Sequence, residues 1–215
     1  MPACWASWLG NWPRNAKGLP VKTSRNSLLA VLAVVLVAAV AIGSRIMVWS
    51  DGEHAAASIG GPFTLVDGDG KTVTDADFRG KWLLIYFGYT FCPDVCPTAL
   101  SSVTEAMDKL APEERFMLTP VFITVDPTRD TPTVMKDYAS AFHLVGLTGS
   151  TEQVAQVMKA YKVYGAKAKG GDATSYTVDH SSILYLVGPD GRFVAHFPHG
   201  TTVDDLTTAL KKHLK

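Results

Sequence analysis

The sequence predicts a three-layer α/β domain behind one N-terminal transmembrane helix, and three observations carry that expectation. Strand-like and helix-like segments alternate from about residue 62 to the end. Two of the strand-like segments, "KWLLIYFG" and "MLTPVFITV", are continuously apolar, as strands covered on both faces should be. Upstream of them, the 19 residues Asn26–Ser44 carry no charge, long enough as a helix to span a hydrocarbon core of ~30 Å.

Taken in order, residues 1–25 read as a cytoplasmic tail, 26–46 as the anchor, 47–60 as a linker and 61–215 as the folded domain. Arg14, Lys17, Lys22 and Arg25 precede the apolar run with no acid among them, which predicts the N-terminus inside and the domain outside. Ala39–Ala41 resembles a processing site, but the long leading segment and the length of the apolar run favour an uncleaved anchor. The linker, "MVWSDGEHAAASIGG", is small and polar-leaning.

In the domain, "FTLVDGDGKTV" reads as a hairpin turning at Asp67–Gly70. "KWLLIYFG" leads into a helix that starts near Cys96, has Pro97 in its first turn and runs to about Leu110. "MLTPVFITV" is followed by a helix opened by Pro132, and Ser150–Gln153 matches a capping box for another reaching about Val163. The Gly- and Lys-containing stretch from Gly165 to Thr177 reads as a long loop. "SILYLV" and "RFVAHF" flank "GPDG" as a second hairpin. The closing helix, "TVDDLTTALKKHL", has acids early and lysines late, as the helix dipole favours.

Composition narrows the function. With 20 Lys/Arg and 20 Asp/Glu, the net charge is zero. The folded part is acidic once the four N-terminal cations are set aside and shows no basic stripe, which argues against a nucleic-acid partner. Topology sorts the three cysteines. Cys4 falls inside as an ordinary thiol, whereas Cys92 and Cys96 fall outside, where thiols oxidise unless protected or metal-bound. A disulfide closing so small a loop restricts the unfolded chain little, so stabilisation alone is a weak reason for the pair.

The stretch "YFGYTFCPDVCPTAL" therefore offers either a redox couple or two metal ligands. Both sulfurs are expected near a helix N-terminus, where partial positive charge favours the thiolate needed by either chemistry. The spacing is not the Cys-x-x-Cys of thioredoxin-like redox motifs. Among the six histidines, His54 and His213 read as solvated, His143 as a helix-end residue, and His196 and His199 as a strand end and loop. His180 stands at the entrance of a buried strand in "YTVDHSSILYLV". It reads either as part of a polar strand cap or as an imidazole brought over the cysteine loop. Two soft thiolates with one imidazole suit Cu(I) and are compatible with Cu(II). Three protein ligands also leave a position open, unlike a structural zinc site.

At these residues the chain resembles the Sco/SenC family of membrane-anchored, thioredoxin-like copper proteins. The resemblance rests on "FGYTFCPDVCP", "VDPTRDTP" and "VDHSSILYLVGPDG", in that order, over about Gly60 to the C-terminus. It implies a thioredoxin-like three-layer sandwich with a mixed central sheet, and copper held by Cys92, Cys96 and His180. It implies a role in assembling the dinuclear copper (CuA) site of cytochrome c oxidase subunit II, by copper delivery, reduction of recipient cysteines, or both. Other periplasmic copper chaperones or thiol reductases are further candidate partners. The loop from Gly165 to Thr177 resembles the family's mobile insertion and is expected to move when metal binds. A bacterial inner membrane with the domain in the periplasm is expected over a mitochondrial inner membrane, because the N-terminal segment is short and lacks an amphipathic Arg-rich presequence.

Four acids are candidate supports. Asp94, between the cysteines, either faces a partner or compensates the helix dipole. Asp126 and Asp130 either orient the loop, make turn and cap hydrogen bonds, or meet the partner. Asp179 is placed to orient His180 through its second ring nitrogen. The competing function is a thiol:disulfide oxidoreductase or peroxidase using the redox pair Cys92 and Cys96 without metal. A copper-binding assembly factor that is not a turnover enzyme is the leading expectation.

Overall fold

The computed structural model describes residues 35–36, 59–168 and 175–215. The anchor expected over 26–46 therefore lies outside the described residues except for Val35 and Leu36, as do the tail and most of the linker. Among the described residues no helix is long and apolar enough to cross a membrane.

A seven-stranded mixed sheet organises the domain. Its strands are β1 (Thr64–Asp67), β2 (Thr72–Thr74), β3 (Trp82–Gly88), β4 (Leu118–Thr124), β5 (Val145–Thr148), β8 (Ile183–Val187) and β9 (Phe193–Pro198). Two more, β6 (Gly165–Lys167) and β7 (Val178–His180), pair only with each other. The sheet order is β2-β1-β5-β4-β3-β8-β9. β3, β4 and β5 run parallel, while β1, β8 and β9 join antiparallel. The helices are α1 (Val95–Asp108), α2 (Pro112–Met117), α3 (Pro132–Ser140), α4 (Thr151–Ala160) and α5 (Val203–His213). This is the α/β sandwich with a mixed sheet that the sequence predicts.

Alternation along β3 explains why it reads as apolar throughout. Leu84 and Tyr86 point into a core shared with Cys96, Leu100 and Val103 of α1, Met135 of α3 and Leu206 of α5. Leu83, Ile85 and Phe87 point the other way, against Val154 and Val157 of α4. Burying each such side chain contributes roughly 2 kcal/mol, so β3 and β4 anchor both layers.

The expected helix starts are realised through their caps. Thr131 accepts from Val134 N at 3.4 Å with Pro132 in the first turn. Gln153 N donates to Ser150 Oγ at 3.3 Å, and Ser150 N donates back to Gln153 Oε1 at 2.8 Å. Thr202 caps α5 by accepting from Asp205 N at 3.1 Å.

Three features depart from the sequence reading. α2 and β5 are additional elements. β5 needs Gly146, because a Cβ there would meet the Met135 carbonyl oxygen at 2.6 Å where α3 crosses the sheet. The stretch expected as a loop from Gly165 begins as β6, paired with β7 in the register Gly165↔His180, Ala166↔Asp179 and Lys167↔Val178. Residues 169–174, the middle of the expected mobile loop, lie outside the described residues.

Candidate metal centre

The topology brings distant segments to one rim. β3 and β4 are parallel with Gly88 opposite Thr124, so the cysteine loop and the "VDPTRDTP" loop both leave the sheet at the same edge. β8 runs antiparallel to β3, with Leu184 opposite Tyr86, so the chain entering β8 arrives at that edge too. His180, just ahead of β8, thereby meets Cys96, 84 residues earlier.

Cys92 N donates to Tyr89 O at 3.2 Å, which curls the loop before the helix. Asp94 takes the N-cap position of α1 and its carbonyl accepts Thr98 N at 3.2 Å. One turn of helix then folds Cys96 back towards Cys92: Cys96 N donates to Cys92 Sγ at 3.4 Å. Cys96 Sγ lies 3.4 Å from His180 Nε2. The ligand atoms of Cys92, Cys96 and His180 all fall within 4.8 Å of one another, and both cysteines are free thiols.

The imidazole is prepared for a cation. His180 Nδ1 lies 3.3 Å from Ser181 O. A carbonyl only accepts, so this contact assigns the proton to Nδ1 and leaves the Nε2 lone pair facing the sulfurs. Burial pushes the His180 pKa below its ordinary 6.5, which keeps the ring neutral at physiological pH. Tyr86 and Tyr89 meet the ring edge-on, with centroids 6.2 and 5.7 Å away, and cover its inner side. Asp179 is exposed and its expected contact is replaced by the Ser181 carbonyl. Its carboxylate acts on the ring only through charge, opposing the effect of burial.

Cys96 corrects the expectation of a helix-stabilised thiolate. It is fully buried, and burial pushes its thiol pKa far above the ordinary 9.0. Desolvation of a buried charge outweighs the roughly half-charge of a helix terminus. A cation that binds there therefore has to displace the Cys96 proton, so metal affinity at this thiol depends on pH.

Asp126 and Asp130 point inward, whereas Asp94 stays at the surface. Asp126 is buried, paired with Arg129 Nε at 2.5 Å and accepting from Tyr176 Oη at 2.8 Å. Asp130 is fully buried and accepts from Thr90 N (3.1 Å), Thr90 Oγ1 (2.6 Å) and Thr124 Oγ1 (2.6 Å). Both carboxylates are therefore occupied by internal hydrogen bonds that tie the loops together. Asp94 is exposed and starts α1 through its carbonyl. Among the other histidines, His143 adopts a left-handed φ of 60° after α3, His196 stacks on Phe193, and His213 packs on Trp82.

Gly88, which sequence reasoning passed over, makes room for the thiol. A Cβ there would meet Cys96 Sγ at 2.7 Å and Phe122 Cε2 at 2.8 Å, both fully buried. Gly88→Ala is expected to cost about 1–3 kcal/mol in a urea melt of the metal-free protein and to displace Cys96 Sγ. An unchanged melt would show that the thiol yields freely.

A thioredoxin-like sandwich carrying a buried Cys-Cys-His cluster at the carboxyl edge of its parallel strands defines a metal-binding domain built on a redox fold. The SCO1/SenC family model matches residues 51–215, and the chain belongs to that family. It is 43% identical to the mitochondrial SCO1 homolog 1 of Arabidopsis thaliana over 161 residues, covering 74% of this chain and 48% of that protein. The copper-bound structure of Bradyrhizobium japonicum ScoI superposes with a TM-score of 0.66 at 44% identity, covering 73% of this chain and 99% of that one. BsSco, described as a member of the Sco family of cytochrome c oxidase assembly proteins with a disulfide switch, matches at 28% identity and a TM-score of 0.57, covering 74% of this chain and 95% of that one. The chain spans about half the length of the Arabidopsis relative.

Proposed function

We propose that this chain is a membrane-anchored copper metallochaperone for the dinuclear copper (CuA) site of cytochrome c oxidase subunit II. It acts by handing over copper held between Cys92, Cys96 and His180, by reducing recipient cysteines, or both. The observation that carries the reading is the convergence of two thiols and a neutral imidazole within 4.8 Å. Two sulfurs and one nitrogen suit Cu(I), and a fourth position left open lets an incoming ligand take the metal without first dismantling the site. The copper bound to the Bradyrhizobium relative and the oxidase-assembly description of BsSco support the same assignment. On this reading the domain lies on the outer face of a bacterial inner membrane, with the alternative of a mitochondrial inner membrane. Other copper chaperones or thiol reductases supply or reset the site.

The test is transfer. Copper(I)-loaded full chain is mixed with the reduced, metal-free soluble domain of subunit II, and the CuA absorption spectrum is followed after mild oxidation. A CuA spectrum that needs the loaded chain supports delivery. A recipient that gains copper equally well from a free copper salt at the same concentration sinks it.

A metal-independent thiol:disulfide oxidoreductase or peroxidase is the second reading, favoured by the two free cysteines on a thioredoxin-like fold. On that reading the fully buried Cys96 cannot be the attacking sulfur, and the partly exposed Cys92 has to take that part.

A further inference from the structure

Arg129 belongs to no ligand set, yet it touches every segment that builds the centre. Its Nε pairs with Asp126 Oδ2 at 2.5 Å, and its Nη1 donates to Tyr176 O at 2.9 Å. Its guanidinium carbon lies 3.6 Å from the Tyr176 ring centroid, 4.7 Å from that of Phe91 and 5.7 Å from that of Tyr89. Tyr176 closes the circuit by donating its hydroxyl to Asp126 Oδ1 at 2.8 Å. Phe91 adjoins Cys92, Tyr89 meets the His180 ring edge-on, and Tyr176 precedes His180 by four positions.

We infer that Arg129 is a positioning residue for the metal centre, fastening the His180-bearing segment to the cysteine loop and so setting the reach from Nε2 to the two sulfurs. The inference rests on the reading that Cys92, Cys96 and His180 hold copper.

The need for such a clamp follows from the topology. Cys92 and Cys96 sit between β3 and α1, both fixed in the main core. β7 carries His180 but pairs only with β6, so no ladder of the main sheet holds it. On one side of the ribbon, Ser181 N donates to Tyr164 O at 3.0 Å. On the other side, Val178 packs into the main core and its backbone meets Tyr89, while Tyr176 adds a further link whose ring and carbonyl Arg129 grips. Arginine suits this task where lysine does not: a planar fork donates in two directions while lying flat on an aromatic face. The remaining nitrogen, Nη2, is buried without a hydrogen-bond partner, so the orientation is held by the two hydrogen bonds and by ring contacts.

The experiment is a Cu(I) titration of the reduced full-length chain against a chromophoric Cu(I) chelator. The wild type is compared with Arg129→Gln, Arg129→Lys, Tyr176→Phe, His180→Ala and the Arg129→Gln/His180→Ala double variant. Positioning predicts that Arg129→Gln weakens Cu(I) binding at least roughly tenfold, as outer partners of metal ligands do, and that Arg129→Lys does not restore it. Tyr176→Phe weakens binding by a smaller factor. The sulfur-to-copper absorption of the Cu(II) form shifts in both positions. In the His180→Ala background, Arg129→Gln adds less than about twofold, because the residue it positions is gone.

Wild-type affinity and spectrum in Arg129→Gln would overturn the inference, as would a full tenfold loss persisting without His180. If Arg129→Gln does not fold, Tyr176→Phe decides, since it deletes only one hydroxyl; unchanged affinity and spectrum there count against the clamp. A wild-type chain that binds no copper removes the copper reading, and the clamp falls with it. That result is distinct from a wild type that binds copper and an Arg129 variant that matches it.

Discussion

His180→Ala is expected to lower the Cu(I) affinity of the reduced chain by more than about 100-fold while leaving the metal-free fold intact. The side chain supplies the only nitrogen in the cluster, and its Nε2 faces Cys96 Sγ at 3.4 Å. Without it, two sulfurs remain, and the buried Cys96 must still give up its proton. The fold should tolerate the change because β7 is held by backbone pairing to β6 and because the His180 ring is only half-buried. Removing the ring does take away its edge contacts with Tyr86 and Tyr89, a loss of about 0.5–1.5 kcal/mol each at most. Competition titration reads the affinity, and thermal unfolding of the copper-free protein reads the fold. Unchanged copper affinity with an unchanged melt would remove His180 from the ligand set and leave a dithiol protein.

That experiment probes what was most legible in the sequence. Cys92, Cys96 and His180 stand out as candidates by residue type, because few side chains offer soft sulfur or imidazole nitrogen, while the choice of copper over a redox pair rests on the family resemblance. The strands that carry them to one rim show as continuous apolar runs, since β3 and β4 are covered by helices on both faces. The supports were less legible, for physical reasons. The neighbour of His180 Nδ1 is a backbone carbonyl, which every residue possesses, so the sequence points to the adjacent carboxylate of Asp179 instead. The state of the Cys96 thiol depends on burial by Leu100, Tyr86 and their neighbours, which no local motif records. β6 and β7 are three residues each, too short to display a period. Arg129 stood within a quoted motif, but its importance comes from Tyr176 and Phe91, which only the fold brings to it.

Asp130→Ala is expected to destabilise the metal-free protein by about 3–5 kcal/mol, a large share of the stability of a domain this size, and to loosen the cysteine loop. Three donors converge on its carboxylate, two from Thr90 at the start of that loop and one from Thr124 at the end of β4. Its backbone is tied in as well, with Thr148 Oγ1 donating to Asp130 O at 2.7 Å. An alanine leaves those buried donors without partners, and Thr90 N, two residues before Cys92, is the hardest to satisfy otherwise. Asp130→Asn should cost less than Asp130→Ala. Burial raises the Asp130 pKa despite the hydrogen bonds, so the charge itself is a liability there, and the amide keeps an acceptor without it. The pH dependence has a definite sign. The folded carboxyl retains its proton where the unfolded one has lost it, so the stability it adds through linkage is full below 3.8 and fades as pH rises through the folded value. Wild type should therefore gain on Asp130→Asn as the pH of the urea melts is lowered towards that value. An Asp130→Ala protein with wild-type stability and wild-type copper affinity would show that Thr90 is held by other means, and that the carboxylate at the centre of this network organises nothing.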